Sequence, residues 1–168
     1  MSPPSAEQHP HSSVEPPRPG CSACAEVAGD VLAPGGVIFD DGRWLVSHHT
    51  GSFTDPGELI IKTRRHCESL SELSREEAEA LGPVLHSATR ALEQVTAAER
   101  IYAVSFNERV RHLHFLMLPR TRGMPRGHVI SDLYRRARNL LRQLYLLRNP
   151  TAAERAAAAA RIKEVWLR

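Results

Sequence analysis

The 168-residue chain contains no apolar run of the length, about eighteen residues, that a helix needs to cross a bilayer, which excludes a membrane-spanning helix. Its first twenty residues, MSPPSAEQHPHSSVEPPRPG, lack the apolar core of an export signal and hold half of the 12 prolines. That composition predicts a disordered leader over residues 1–20 and a soluble, cytoplasmic protein. Aromatic residues make up only 5% against 42% hydrophobic overall, enough for one core but an aliphatic one. Only three cysteines occur, Cys21, Cys24 and Cys67, and an odd count without an export signal argues against a disulfide framework. No internal repeat is visible, which sets repeat architectures aside.

What is present is uneven. The net charge is +3 and the pI near 9.0, yet Arg64, Arg65, Arg109, Arg111, Arg120, Arg122 and Arg126 crowd the centre, and more arginines follow. A basic centre suits a phosphate-bearing ligand. A basic tail could touch nucleic acid, although a solvated arginine-rich helix face is the commoner origin of such a tail.

Period-two runs predict strands at VIFD (Val37 to Asp40) and Arg43 to His48, turned by Asp41-Gly42, and a third at Glu58 to Lys62. The polar stretch His49 to Gly57 reads as a loop. Ser74 and Glu77 form a capping box, followed by Leu81, Val84, Leu85, Ala88, Leu92 and Val95 at helical period, with Gly82-Pro83 as an interruption. Two more strands are expected at Ile101 to Phe106 and His112 to Leu118, joined by the short link Asn107 to Arg111, with Pro119 stopping the second. Two helices, Val129 to Arg148 and Thr151 to Arg168, are broken by Asn149-Pro150. The first carries an apolar stripe for docking: Leu133, Ala137, Leu140, Leu141 and Leu144. The order β-β-β-α-β-β followed by helices defines an α+β fold, an antiparallel sheet of about five strands with one long helix on it.

The chemistry concentrates in two places. Cys21 and Cys24 form a C-x-x-C; in a reducing compartment this means metal or redox chemistry, and with no strand before it metal is favoured. In His112-Leu113-His114-Phe115-Leu116, strand alternation puts His112, His114 and Leu116 on one face, with the imidazoles roughly 6–7 Å apart. There they can share a ligand, or one can bind metal while the other acts as a nucleophile toward phosphorus. From H-x-H alone, two histidines on a solvent-facing strand are an equal reading.

The segment Arg111 to Arg120 resembles the His-φ-His-φ-His-φ-φ element of the histidine-triad family, closed by Pro119-Arg120. Three further segments resemble the family in the same order. Cys21 to Asp30 is similar to a C-x-x-C-x-x-x-x-G-[DE] opening, Val37 to Leu45 to the opening hairpin, and Leu59 to His66 to the strand that ends in Pro-Lys-x-His. The resemblance spans roughly residues 21–120, so 21–126 is expected as the domain and 127–168 as a C-terminal helical extension. It implies a zinc site on Cys21, Cys24, His66 and His112, where two thiolates and two imidazoles satisfy a closed, structural tetrahedron. It implies His114 as the nucleophile, forming a nucleotidyl-histidine at the α-phosphate. Asn107, Arg109 and His49 stand where nucleotide or phosphate contacts are expected. Cys67 has no matching role and reads as a small buried residue.

The sequence departs from the pattern at several points. Leu116 takes the third triad position, and losing one such donor typically costs roughly 10²–10³ in rate. His49 stands near the position where the family usually has an acidic residue that holds the ribose hydroxyls, Glu58 replaces a histidine, the proline of Pro-Lys is absent at Lys62-Thr63, and the link before His112 is short. Three function classes follow: a nucleotide hydrolase or nucleotidyl transferase, a zinc-stabilised nucleotide-binding or interaction module without full triad chemistry, and nucleic-acid contact through the C-terminal arginines. The family also implies a homodimer of joined sheets with the Ser74 to Val95 helix packed between subunits.

Overall fold

A computed structural model describes residues 17–168. Most of the expected leader, residues 1–16, lies outside the described residues. The element order is α1 (Ser22–Ala28), β1 (Val37–Asp40), β2 (Trp44–His48), β3 (Leu59–Thr63), a single 3₁₀ turn (Leu70–Glu72), α2 (Arg75–Thr96), β4 (Arg100–Val104), β5 (His114–Arg120), α3 (His128–Gln143) and α4 (Ala152–Trp166). The five strands form one antiparallel sheet in the order β1-β2-β3-β5-β4, the α+β architecture expected.

Local chemistry explains the boundaries. Asp41 closes the first hairpin by accepting from the backbone N–H groups of Arg43 and Trp44 at 2.9 and 2.7 Å, while Gly42 takes φ +81°. Ser74 and Glu77 satisfy each other's backbone N–H at 3.2 and 2.8 Å, so α2 starts where the capping box places it. α2 then runs unbroken through Pro83 for 22 residues, because Gly82 and Pro83 lie on its exposed face and only one internal hydrogen bond is forfeited.

Alternation divides the sheet into two faces. Trp44, Val46, Leu59, Ile61 and Met117 point at α2, where Val84, Ala88, Ala91 and Leu92 close the core. Trp44 Nε1 also donates to the Glu77 carbonyl of α2 at 2.9 Å. α4 joins this layer. Ala159 and Ile162 are core residues, Trp166 stacks on Phe39 at 5.0 Å, and a Cβ on Gly35 would meet Ala159 Cβ at 2.7 Å. The second face carries Ser47, Ile60, Lys62, His114 and Leu116, with Lys62 paired to His114 and Ile60 to Leu116 in register.

Three expectations need correction. β5 begins at His114 rather than His112 and runs through Pro119 to Arg120. Pro119 is accommodated because β3 ends its pairing at Met117, so from there β5 has only β4 as a neighbour. The short helix α1, which the C-x-x-C pattern did not suggest, follows Cys21 at its N-cap, where the thiol accepts from the Cys24 N–H. The leucine stripe of α3 does not dock on the body: Leu133, Leu140, Leu141 and Leu144 are exposed. No helix among the described residues is long and apolar enough to cross a membrane.

Candidate active site and metal cluster

Cys21 and Cys24 lie at the start of α1, His66 just after β3, and His112 just before β5. The antiparallel pairing of β3 with β5 puts His66 and His112 side by side at one end of the sheet, their rings edge to face at 5.2 Å. The two sulfurs and two Nδ1 atoms come together within 4.8 Å of one another. Cys24 Sγ is 3.3 Å from His66 Nδ1 and 3.5 Å from His112 Nδ1, and Cys21 Sγ is 3.6 Å from His112 Nδ1. A tetrahedron with bonds of about 2.0–2.3 Å has edges of roughly 3.3–3.8 Å, and these three distances fall in that range.

The surroundings favour a resident cation. His112 is fully buried, and its Nε2–H donates to the Thr63 carbonyl at 2.8 Å, with Thr63 Oγ1 at 3.1 Å. That bond fixes the tautomer and leaves Nδ1 as the free ligand atom, the usual support for a metal-bound histidine. Burial pushes the Cys24 thiol up and lowers His112 to about 4, so these two are neutral donors. Cys67 is buried beside it, its sulfur 3.5 Å from Thr63 Oγ1 and away from the four ligands.

His114 has the opposite orientation. Its Nδ1–H donates to the His112 carbonyl at 2.6 Å, which leaves the Nε2 lone pair unengaged on a half-buried ring. Its backbone N–H donates to Asn107 Oδ1 at 3.1 Å, and Asn107 Nδ2 in turn donates to Ser105 Oγ at 2.9 Å. Asn107 sits at φ +53°, a left-handed conformation that asparagine tolerates better than most residues and that turns the short link back toward β5. Arg109 lies exposed in the same link. The expectation that His112 and His114 share one strand face fails, since His112 precedes β5 and turns inward to the thiols. The two rings are instead coupled through the His112 carbonyl.

Beside His114 the sheet carries a cluster of which sequence reasoning singles out only His49 as a site residue. Lys62, fully buried and directly across from His114, is ion-paired to Glu26 of α1, which also accepts from Thr50 Oγ1 at 2.8 Å. Burial lowers the Lys62 ammonium while Glu26 holds it up. His49 is drawn to the same place: burial lowers it to about 4, Glu26 opposes, and Lys62 and Arg135 act in the lowering direction. Its Nδ1 accepts from the Gly51 N–H at 3.3 Å, so the ring is neutral with its proton on Nε2, a donor. A charged lysine closing the apolar run Leu59-Ile60-Ile61 was the available signal. Its partner Glu26, 36 residues earlier in the chain, carried none.

At the far end of β3, the loop after β2 is held by arginines of the C-terminal helices. Arg135 pairs with buried Glu58 at 3.0 Å, Arg138 and Arg142 both reach Asp55, and Arg142 donates to the Phe53 carbonyl at 2.8 Å. Burial pushes the Glu58 carboxyl up and Arg135 opposes it. A cleft of about 310 Å³ opens here, lined by Asp55, Glu58, Tyr102, Arg120, Arg135 and Arg161 among others.

The architecture is that of solved histidine-triad proteins. A Hit-like protein of Bartonella henselae involved in cell-cycle regulation superposes with a TM-score of 0.63 at 16% identity, covering 87% of this chain and 96% of its own. A zinc-bound histidine triad family protein from Mycobacterium smegmatis gives 0.53 at 22%, covering 74% and 97%. A HIT family member from Bacillus subtilis gives 0.55 at 18%, covering 79% and 99%. No family model and no curated protein sequence matches the chain. At these identities the common property is the fold. The chain therefore has the histidine-triad fold, with a Cys₂His₂ cluster at one end of its sheet and an oriented histidine beside it.

Proposed function

We propose that the chain is a nucleotide hydrolase or nucleotidyl transferase in which His114 Nε2 attacks the α-phosphorus of a nucleoside phosphate ester or phosphoramidate. The observation that carries this is the His114 Nδ1–H bond to the His112 carbonyl, which orients the ring and leaves Nε2 as the atom available for attack. The Nε2–P bond forms as the bond from phosphorus to the leaving oxygen or nitrogen breaks. The leaving group departs with the electron pair and takes a proton from water. A second water, or another acceptor, then attacks phosphorus and releases the imidazole.

His49 Nε2–H and the Lys62 ammonium are the groups that answer the charge developing on the phosphoryl oxygens, and Asn107 holds the His114 backbone in place. Arg109 is a weaker candidate contact. The residues fit zinc, which Cys21, Cys24, His66 and His112 would hold. When bound, it supplies a closed structural centre that ties α1 to the sheet. The zinc-bound Mycobacterium smegmatis neighbour supports that choice of metal. A cytoplasmic location and pairing of two copies complete the proposal.

The specific observation favouring a second reading is Leu116, which stands on the His114 face without a donor. In that reading the same pocket binds a nucleotide without turning it over. Release of AMP, GMP or UMP from nucleoside phosphoramidates and dinucleoside polyphosphates, comparing wild type with His114→Ala, separates the two. Turnover that disappears in the variant supports the enzyme. Binding without turnover in a folded, zinc-loaded protein supports the module.

A further inference from the structure

The cleft beside Glu58 lies away from His114. Glu58 stands four residues before Lys62, the residue paired to His114, so about 13 Å of strand separates the two places. The cleft opens where the end of α2, the start of β3, strands β4 and β5, and the two C-terminal helices meet. Its volume of about 310 Å³ is at the lower end of the range of about 300–1,000 Å³ that small-molecule sites occupy.

Four guanidiniums line it: Arg120 of β5, Arg135 and Arg138 of α3, and Arg161 of α4. The neighbouring acids do not exhaust them. Arg135 and Arg138 are held by Glu58 and Asp55. Arg120, only 6% exposed, shares Glu99 with Arg122, at 2.9 and 3.8 Å. Arg161 makes no ion pair or hydrogen bond among the described residues. It stands one turn from Ala158 on the cleft side of α4, while Ala159 and Ile162 face the core. The cleft therefore carries positive charge beyond what its ion pairs neutralise. A guanidinium presents its N–H groups as a fork that fits phosphate oxygens. The remaining wall is largely apolar, with Leu118, Met124 and Ala158 beside the ring of Tyr102.

We infer that this cleft is a second binding site, for a small phosphomonoester with an apolar or aromatic body, with Arg161 as the main partner of the phosphate. Two guanidiniums are in excess, Arg161 and one of the pair that shares Glu99, and a doubly ionised phosphate answers both where a carboxylate answers one. The body of the ligand packs on Leu118, Met124 and Tyr102. A polynucleotide fits less well, because its backbone needs a basic track along the surface and Arg135 and Arg138 are engaged inward.

The inference stands apart from the proposed chemistry of His114, and its test does not read turnover. The full zinc-loaded chain, isotope-labelled, is titrated with phenyl phosphate, inorganic phosphate and benzoate while its backbone amides are followed by NMR. Thr121, Met124 and Ala158 report on the cleft, and Asn107 and His114 on the other site, so each is read separately. The expected result is saturable shifts at the three cleft amides, with phenyl phosphate binding there about tenfold or more tightly than inorganic phosphate through its buried ring. Arg161→Ala should weaken that binding by about tenfold or more, as loss of a hydrogen-bonded charge does. Arg161 is exposed, and the dispersion of the spectrum checks that the variant is folded. Arg75→Ala, which removes the same charge from an exposed position on α2, should leave the affinity unchanged. Phenyl phosphate that shifts only the Asn107 and His114 amides overturns the inference, as does an equal cleft affinity in wild type and Arg161→Ala, or an equal loss in Arg75→Ala. Benzoate that binds the cleft as tightly as phenyl phosphate also overturns it and assigns the site to carboxylates.

Discussion

The two ends of β3 are secured by different chemistry. At the end carrying Thr63, two thiols and two imidazoles converge from the start of α1, the segment after β3 and the segment before β5, a donor set that could hold a metal ion. At the end carrying Leu59, charge is already balanced, with Arg135 on Glu58 and Arg138 and Arg142 on Asp55. On the proposed zinc reading, the first arrangement is all or none. The second is divided among several ion pairs, with Glu58 and Arg142 buried and Arg135, Arg138 and Asp55 partly exposed. The comparison teaches that the catalytic histidine candidate is positioned from the metal end, through the His112 carbonyl, while the loop bearing His49 is positioned from the arginine end.

The contrast can be broken from either side. Cys24→Ser removes a ligand from the metal end and should release the metal and lower the melting midpoint by about 10 °C or more. Metal content by elemental analysis together with calorimetry checks it; unchanged content and midpoint would remove the reason for treating the cluster as structural. At the arginine end, Asp55→Asn leaves the buried Arg142 guanidinium without its carboxylate, at a cost of about 3 kcal/mol in denaturant unfolding with metal content unchanged.

Acid should act through the His49 loop as well. His49 ordinarily titrates near 6.5 and is held to about 4 in the folded chain, so the unfolded state binds the proton first. Its contribution is therefore fully present above about pH 6.5 and is lost as pH falls toward 4, at most a few kcal/mol. Comparing urea midpoints of wild type and His49→Gln at pH 7 and pH 5 tests this, and an equal pH response in the two would refute it. The smallest effect is expected for Arg155→Ala. This side chain donates to the Gly51 and Ser52 carbonyls at 3.1 and 3.2 Å from a partly exposed position, worth about 1–2 kcal/mol. A larger loss than that of Asp55→Asn would mean that hydrogen bonds rather than ion pairs hold the loop.

The sheet, α2 and the Cys21–Cys24 pair were legible in the sequence because each has a short-range signal: alternation, a capping box, a C-x-x-C; His66 and His112 entered the cluster only through the resemblance to the histidine-triad family. The partners that finish the site were not. Glu26 reads as one charge on a short helix, and only the tertiary fold lays it over Lys62. Thr63 is an ordinary strand residue until its carbonyl meets His112 Nε2. The inward turn of His112 was also hidden, since H-x-H alternation looks the same whether or not the first histidine is in the strand. For α3 the periodicity gave the amphipathic helix correctly but not which side faces the body, because the acids that draw its arginines inward lie about eighty residues away, Glu58 from Arg135 being one such pair.

The most direct test of the account is to find the covalent intermediate. Zinc-loaded protein is mixed with a nucleoside phosphoramidate, quenched rapidly under mildly alkaline denaturing conditions, and weighed intact by mass spectrometry, with peptide mapping of any adduct. The account predicts one nucleotidyl group on His114, absent in His114→Ala. Turnover of the same substrate with no adduct, or an adduct that persists in His114→Ala, would contradict it.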